Sequence, residues 1–146
     1  MAHAPVKVFA IESPADMARA YAIRRHVFIE EQHVPEEIEL DADDALAFHA
    51  LAIVGDAAIG CGRMLDHGDG EVKIGRMAVV PEFRGTGVGR EILRFLIDRA
   101  RARGLRKAVL HAQLSAEGFY LKEGFTPLGD VFDEAGIAHR KMEKLL

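Results

Sequence analysis

From Phe83 to Ile92 the chain reads Phe-Arg-Gly-Thr-Gly-Val-Gly-Arg-Glu-Ile, with Gly85, Gly87 and Gly89 alternating between Arg84 and Arg90. A glycine within a helix costs about 1 kcal/mol relative to alanine, so three of them against an amphipathic helix need a reason. A helix starts with unpaired N–H groups and a partial positive charge, which together favour an anion. Glycines ahead of it let the main chain approach a phosphate with no Cβ in the way, and Arg84 and Arg90 add charge. The plain alternative is a tight strand-to-helix turn that tolerates glycine. A nucleoside-triphosphate loop would end in Gly-Lys-Ser/Thr, but here Arg90-Glu91 follows the third glycine. A dinucleotide fingerprint needs G-x-G-x-x-G and an acid at the tip of the next strand, where this chain has Leu110-His111-Ala112. Both readings fail.

Two further residues could move protons. Strand alternation puts Val109, His111 and Gln113 on one face, and a histidine titrates near neutral pH. His111 is therefore the first candidate for a general base, against the alternative of a hydrogen-bonded structural histidine near a strand end. Tyr120, beside Phe119, is either a proton donor or a core aromatic.

These residues need a frame. Val6 to Ile11 reads as a strand. Ser13-Pro14-Ala15-Asp16 predicts a helix start, with a serine cap, proline at the first position and an acid at the third. Met17, Ala20, Tyr21, Arg24, Val27 and Phe28 continue it at helical spacing to about Ile29. Glu30 to Asp44 holds eight carboxylates and no lysine or arginine, and reads as a loop or a loop with a short helix. Ala47–Val54 and Ala57–Leu65 form a hairpin about Gly55-Asp56, and Glu71–Val80 adds a third antiparallel strand. The helix after the glycines carries Val88, Ile92, Leu93, Leu96, Ile97 and Ala100 on one face and ends at Gly104. A strand at Lys107–Ala112, a short helix at Ser115–Lys122 and a hairpin turning near Ala135-Gly136 complete the chain.

The 146 residues suit one domain spanning 1–146, with 49% hydrophobic and 29% charged residues. A net charge of −4 and a pI near 6.0 speak against a general nucleic-acid or membrane-surface binder. No apolar run approaches the roughly 18 residues of a membrane span, and the start lacks a long apolar leader, so a cytoplasmic protein is expected. Cys61 is the one cysteine, which excludes an internal disulfide and a cysteine-based zinc site. No metal is expected. Flanked by Gly60 and Gly62, Cys61 reads as buried packing.

The stretch Met77 to Gly89 resembles the acetyl-CoA-binding motif of the GNAT N-acetyltransferase superfamily, in which Arg or Gln is followed by x-x-Gly-x-Gly/Ala; Arg84, Gly87 and Gly89 match it. A second signature, Gln113-x-x-Ala116-x-x-x-Tyr120-x-x-x-Gly124-Phe125, looks like the family's Asn-x-x-Ala-x-x-x-Tyr-x-x-x-Gly-Phe, with Gln113 as the one departure. Within the superfamily, Val27-Phe28-x-x-Glu31-Gln32, Pro35, Glu39-x-Asp41, Asp44, His49, Phe119-Tyr120 and Glu134 to His139 look like the ElaA/YjcF-like branch.

The resemblance implies an α+β fold, a mixed central sheet of about six to seven strands flanked by helices, and transfer of an acetyl group to a primary amine. It implies a bulged fourth strand whose main chain at Met77, Ala78 and Val79 holds the pantetheine. Pyrophosphate would sit on Arg84, Gly85, Thr86, Gly87, Val88, Gly89 and Arg90, with Gln113 as a further cofactor contact. Tyr120 would protonate the departing thiolate. Glu31 and His49 stand in reserve as bases and, with Phe28, Glu39, Asp41 and Arg76, as residues of the acceptor side. Most of the acidic stretch reads as a solvated loop, though it could attract a cationic amine. Arg76, just before the bulge, either binds substrate or pairs with a core acid. By family analogy a homodimer is possible. The alternative function is a non-catalytic acyl-CoA sensor, which would have no need of a proton donor to sulfur. A purely structural domain leaves the glycines unexplained.

Overall fold

In the computed structural model, which describes residues 5–146, one seven-stranded sheet runs in the order β1-β2-β3-β4-β5-β7-β6. The leader-free reading of the first four residues lies outside the described part. The strands are β1 (Val6–Ala10), β2 (Phe48–Val54), β3 (Ala57–Asp66), β4 (Glu71–Val79), β5 (Lys107–Gln113), β6 (Thr126–Glu134) and β7 (Ile137–Leu145). All neighbours pair antiparallel except β4 and β5. A parallel pair needs a long crossover, and here the crossover contains the glycine turn and helix α3 (Val88–Ala102). This is the mixed, helix-flanked sheet expected from the sequence.

Local signals account for much of the frame. Helix α1 (Pro14–Arg24) starts as its sequence requires: the Asp16 amide donates to Ser13 Oγ at 3.1 Å, with Pro14 at the first position. The chain stays helical to Glu31, but Arg25–Glu31 widens into π-helical turns, two residues past the expected end. Short helices α2 (Glu36–Glu39) and α4 (Glu117–Lys122) follow later in the chain. The last hairpin turns at Ala135 and Gly136, whose φ values of 55° and 78° belong to the two central residues of a tight hairpin turn.

Helix α3 lays its apolar stripe on one sheet face; Ile92, Leu93, Leu96 and Ala100 are fully buried. Each such leucine or isoleucine contributes about 1.5–3 kcal/mol by leaving water. Gly60 and Gly62 make the close approach possible, since a Cβ would lie 2.8 Å from Ile92 Cδ1 at the first and 2.7 Å from Met77 Sδ at the second. Helix α1 and its π-helical continuation cover part of the opposite face through Ala20, Ile23 and Val27, which pack on Leu51, Cys61 and Ala78. Burial pushes the Cys61 thiol up to about 12, so it is inert packing.

Candidate active site

Two irregularities in β4 open the site. Cys61 pairs with Ala78 but Arg63 with Gly75, so Arg76 and Met77 together face Gly62. This is a bulge, with Arg76 at φ 53°. In addition, β4 and β5 pair only from Glu71–Lys107 to Lys73–Val109; beyond those residues neither strand pairs with the other. A cavity of about 770 Å³ lies at this split. Met77, Ala78 and Val79 line one side, His111 and Gln113 the other, with Tyr120 and Phe28 also on the wall.

The glycine turn follows Arg84, which lines the cavity. Gly85 and Gly87 have φ values of 78° and 92°, a left-handed conformation that disfavours any Cβ. A Cβ at Gly85 would meet nothing within 4 Å, so the turn faces open space. No side chain caps α3, unlike α1, leaving its first-turn amides for a ligand. These features fit a diphosphate. Val88 contributes only its main chain, because its side chain is buried in the core. Thr86 Oγ1 donates to the Phe83 carbonyl at 2.5 Å, and Arg90 folds back towards Gly87. Arg84 is engaged: its Nη atoms hold both Glu31 oxygens at 3.0 Å, and Nε donates to the Val79 carbonyl at 2.9 Å. The Arg84 hydrogen bond keeps the Glu31 carboxyl below its ordinary value. Gln113 donates to Gln32 Oε1 at 2.8 Å.

His111 is held from a distant part of the chain. Its Nδ1 lies 2.9 Å from Glu134 Oε1, at the end of β6. Burial raises the Glu134 pKa, but the His111 hydrogen bond and the charges of His111, His139 and Lys73 outweigh it, so the carboxyl titrates below its usual range. An ionised carboxylate only accepts, so Nδ1 of His111 is the donor to Glu134 and Nε2 is the ring nitrogen that Glu134 leaves free. Glu134 Oε2 is 3.7 Å from His139 Nε2, and His139 Nδ1 donates to the Ile137 carbonyl at 2.7 Å. The Phe132 ring packs against both imidazoles. His111, Glu134 and His139 all line the cavity.

Tyr120 is 8% exposed, and burial pushes its phenol up to about 12. Its ring packs edge-on against Phe119 and Phe125. Tyr120 also borders the cavity.

Most carboxylates of the acidic segment are exposed, as expected of a solvated loop with a short helix, but three of them turn inward. Glu39 and Asp44 are buried. Arg24 binds Glu39 Oε1 and reaches Asp44 Oδ1 at 2.8 Å; Arg63 binds Asp41 at 2.7 Å and Asp44 at 2.8 Å; Arg76 binds Glu39 at 2.9 Å and Asp41 at 3.1 Å. Three carboxylates and three guanidinium groups thus neutralise one another. Glu39, Asp41 and Arg76 border the cavity, but with their charges already matched. His49 is set apart from it: buried, it donates Nε2–H to the Asp44 carbonyl at 2.8 Å, and burial lowers its pKa. Glu31 serves Arg84 and is not on the lining. Glu134 and His139 were read in the sequence only as marks of the branch and given no site role, because they lie in a hairpin far from His111 along the chain. Among the described residues no group of His, Cys, Asp and Glu could hold a metal ion, and no helix is long and apolar enough to cross a membrane.

Comparison with known proteins agrees with this geometry. The family model described as acetyltransferase (GNAT) domain matches residues 12–146. The uncharacterized protein YyaT of Bacillus subtilis (strain 168) is 37% identical over 92% of this chain and 92% of its own length. The uncharacterized N-acetyltransferase YjcF of the same strain is 33% identical over 95% and 99%. A crystal structure from Lactobacillus plantarum, assigned as an N-acetyltransferase, superposes with a TM-score of 0.90 at 31% identity, covering 97% of this chain and 98% of that one.

Proposed function

Because the chain belongs to the GNAT acetyltransferase family, whose activity uses an acyl-CoA, we propose that it moves an acetyl group from acetyl-CoA directly onto a primary amine. The likeness to YjcF supports placing it in the ElaA/YjcF-like branch. The observation that carries the amine reading is the His111–Glu134 pair at 2.9 Å on the wall of the cavity at the β4–β5 split.

Acetyl-CoA supplies an activated thioester carbonyl, which the amine attacks as the thiolate departs. The residues fitted to hold it are the Gly85–Gly89 turn with the first amides of α3, Arg84, and the unpaired stretch of β4 from Met77 to Val79. A lysine-like amine arrives protonated, since its pKa is near 10.4. His111 Nε2 accepts that proton, and the Glu134 carboxylate stabilises the imidazolium that results. Such positioned general bases contribute about 10²–10⁴-fold. Tyr120 keeps its proton at every working pH and can donate it to the departing sulfur; a free thiol has a pKa near 8.5, so the transfer depends on contact within the closed site.

The same reading places the protein in the cytoplasm and admits a homodimer, which light scattering would count. Thiol release from acetyl-CoA, measured across a panel of amines, tests the activity: acceptor-dependent release supports it, and binding of acetyl-CoA without release for any amine would favour the sensor.

A further inference from the structure

Among the described residues, one cation on the cavity lining is in contact with no carboxylate. Arg63, Arg76 and Arg84 border the cavity, but each is engaged by Asp41 and Asp44, by Glu39 and Asp41, or by Glu31. Lys73 also lies on the lining and is partly buried, yet among the described residues it makes no hydrogen bond or ion pair; its charge reaches Glu134 only from beyond ion-pair distance, and that carboxylate is already bonded to His111. Its place in the fold is fixed. Lys73 pairs in parallel with Val109, so the two side chains share a sheet face, and the two-residue period puts His111 on that face about 6.6 Å further along β5.

A partly desolvated ammonium with no carboxylate in contact is costly, and a ligand anion relieves that cost. The opposite preference, for a polycation, loses its basis. Glu39, Asp41 and Asp44 are consumed by arginines, Glu134 is bonded to His111, and the remaining carboxylate on the lining, Asp43, is exposed. Resting on the acetyltransferase reading above, we propose that Lys73 anchors a carboxylate on the acceptor, so that the substrate is an amino acid or a similar compact amine bearing an acidic group. The carboxylate binds at Lys73 and the amine is delivered to His111. The N–C bond forms as the C–S bond breaks; of the two protons the ammonium loses, one is matched by the proton gained by CoA and the other leaves through His111 to solvent.

Matched pairs test this: lysine against cadaverine, phenylalanine against phenethylamine, each with wild type and Lys73→Gln. The expected result is a preference of at least about 10-fold in kcat/KM for the carboxylate member. Lys73→Gln should lose about 10- to 100-fold on the amino acid, mainly through KM, and far less on the amine, so that the preference collapses. Lys73→Arg should restore part of it. Equal or better use of the decarboxylated amines by wild type would overturn the proposal, as would a preference that survives Lys73→Gln. So would a gain of one acetyl group on Lys73 in acetyl-CoA alone, which would make it an acceptor. Calorimetry on CoA-saturated protein separates this proposal from the activity. N-acetylphenylalanine should bind at least about 10-fold more tightly than its carboxamide. Equal binding, or none of either, overturns the anchor even where other amines are acetylated.

Discussion

His111 Nδ1 lies 2.9 Å from Glu134 Oε1, and these two residues from different strands define the basic centre of the cavity. Glu134→Gln keeps an acceptor for Nδ1–H but removes the charge that stabilises the imidazolium. We expect kcat to fall about 10-fold or more, with acetyl-CoA affinity held. A pH–rate profile for both proteins checks this. Unchanged kcat at every pH would make Glu134 a scaffold residue.

The Arg84 fork is filled by Glu31 at 3.0 Å on both Nη atoms, so a bound diphosphate must compete with that carboxylate. Glu31→Gln should therefore tighten acetyl-CoA binding a few-fold at low salt, an effect that added salt reduces because the pair is exposed. Calorimetry at two salt concentrations measures it. Weaker binding in the variant would mean that Glu31 positions Arg84 for the ligand instead.

The fold was legible where neighbours in sequence are neighbours in space. Ser13-Pro14 gives the start of α1, Gly55-Asp56 and Ala135-Gly136 give hairpins, and the α3 stripe gives the core face. The glycine turn was legible because a backbone requirement is written in residue type. The ion network was not, because Arg24, Arg63 and Arg76 lie in three separate elements from the carboxylates they match. One sign was present: Arg24 falls in the apolar stripe of α1, a place where a charge needs a partner. Glu134 was invisible as a partner for His111 because the β5–β7–β6 pairing that brings them together is long-range.

The Arg63 hydrogen bond holds Asp41 at about 2, below its ordinary 3.8, against the opposing effect of burial. With the folded pKa depressed, its contribution to stability is complete above about pH 3.8 and lost as pH falls towards 2. Asp41→Asn should melt lower than wild type at pH 7, and the difference should shrink through that acid window. Thermal melts at several pH values give the answer. A gap independent of pH would assign the loss to packing rather than charge.

Tyr120→Phe removes one hydroxyl from a ring packed between Phe119 and Phe125. As the proton donor, its loss should lower turnover about 10²-fold. A purely packing role would instead cost stability by at most about 1 kcal/mol. Turnover is read beside a melting curve and a cofactor titration, with an acceptor for which chemistry limits the rate. Full activity would remove Tyr120 from the mechanism.

The central claim is that His111 takes the amine proton, and the pH dependence of kcat in His111→Ala tests it most directly. We expect kcat at neutral pH to fall by about 10² or more, with acetyl-CoA affinity unchanged. The loss should narrow at high pH, where the amine loses its proton to solvent. A variant with wild-type kcat across the whole pH range would contradict the account.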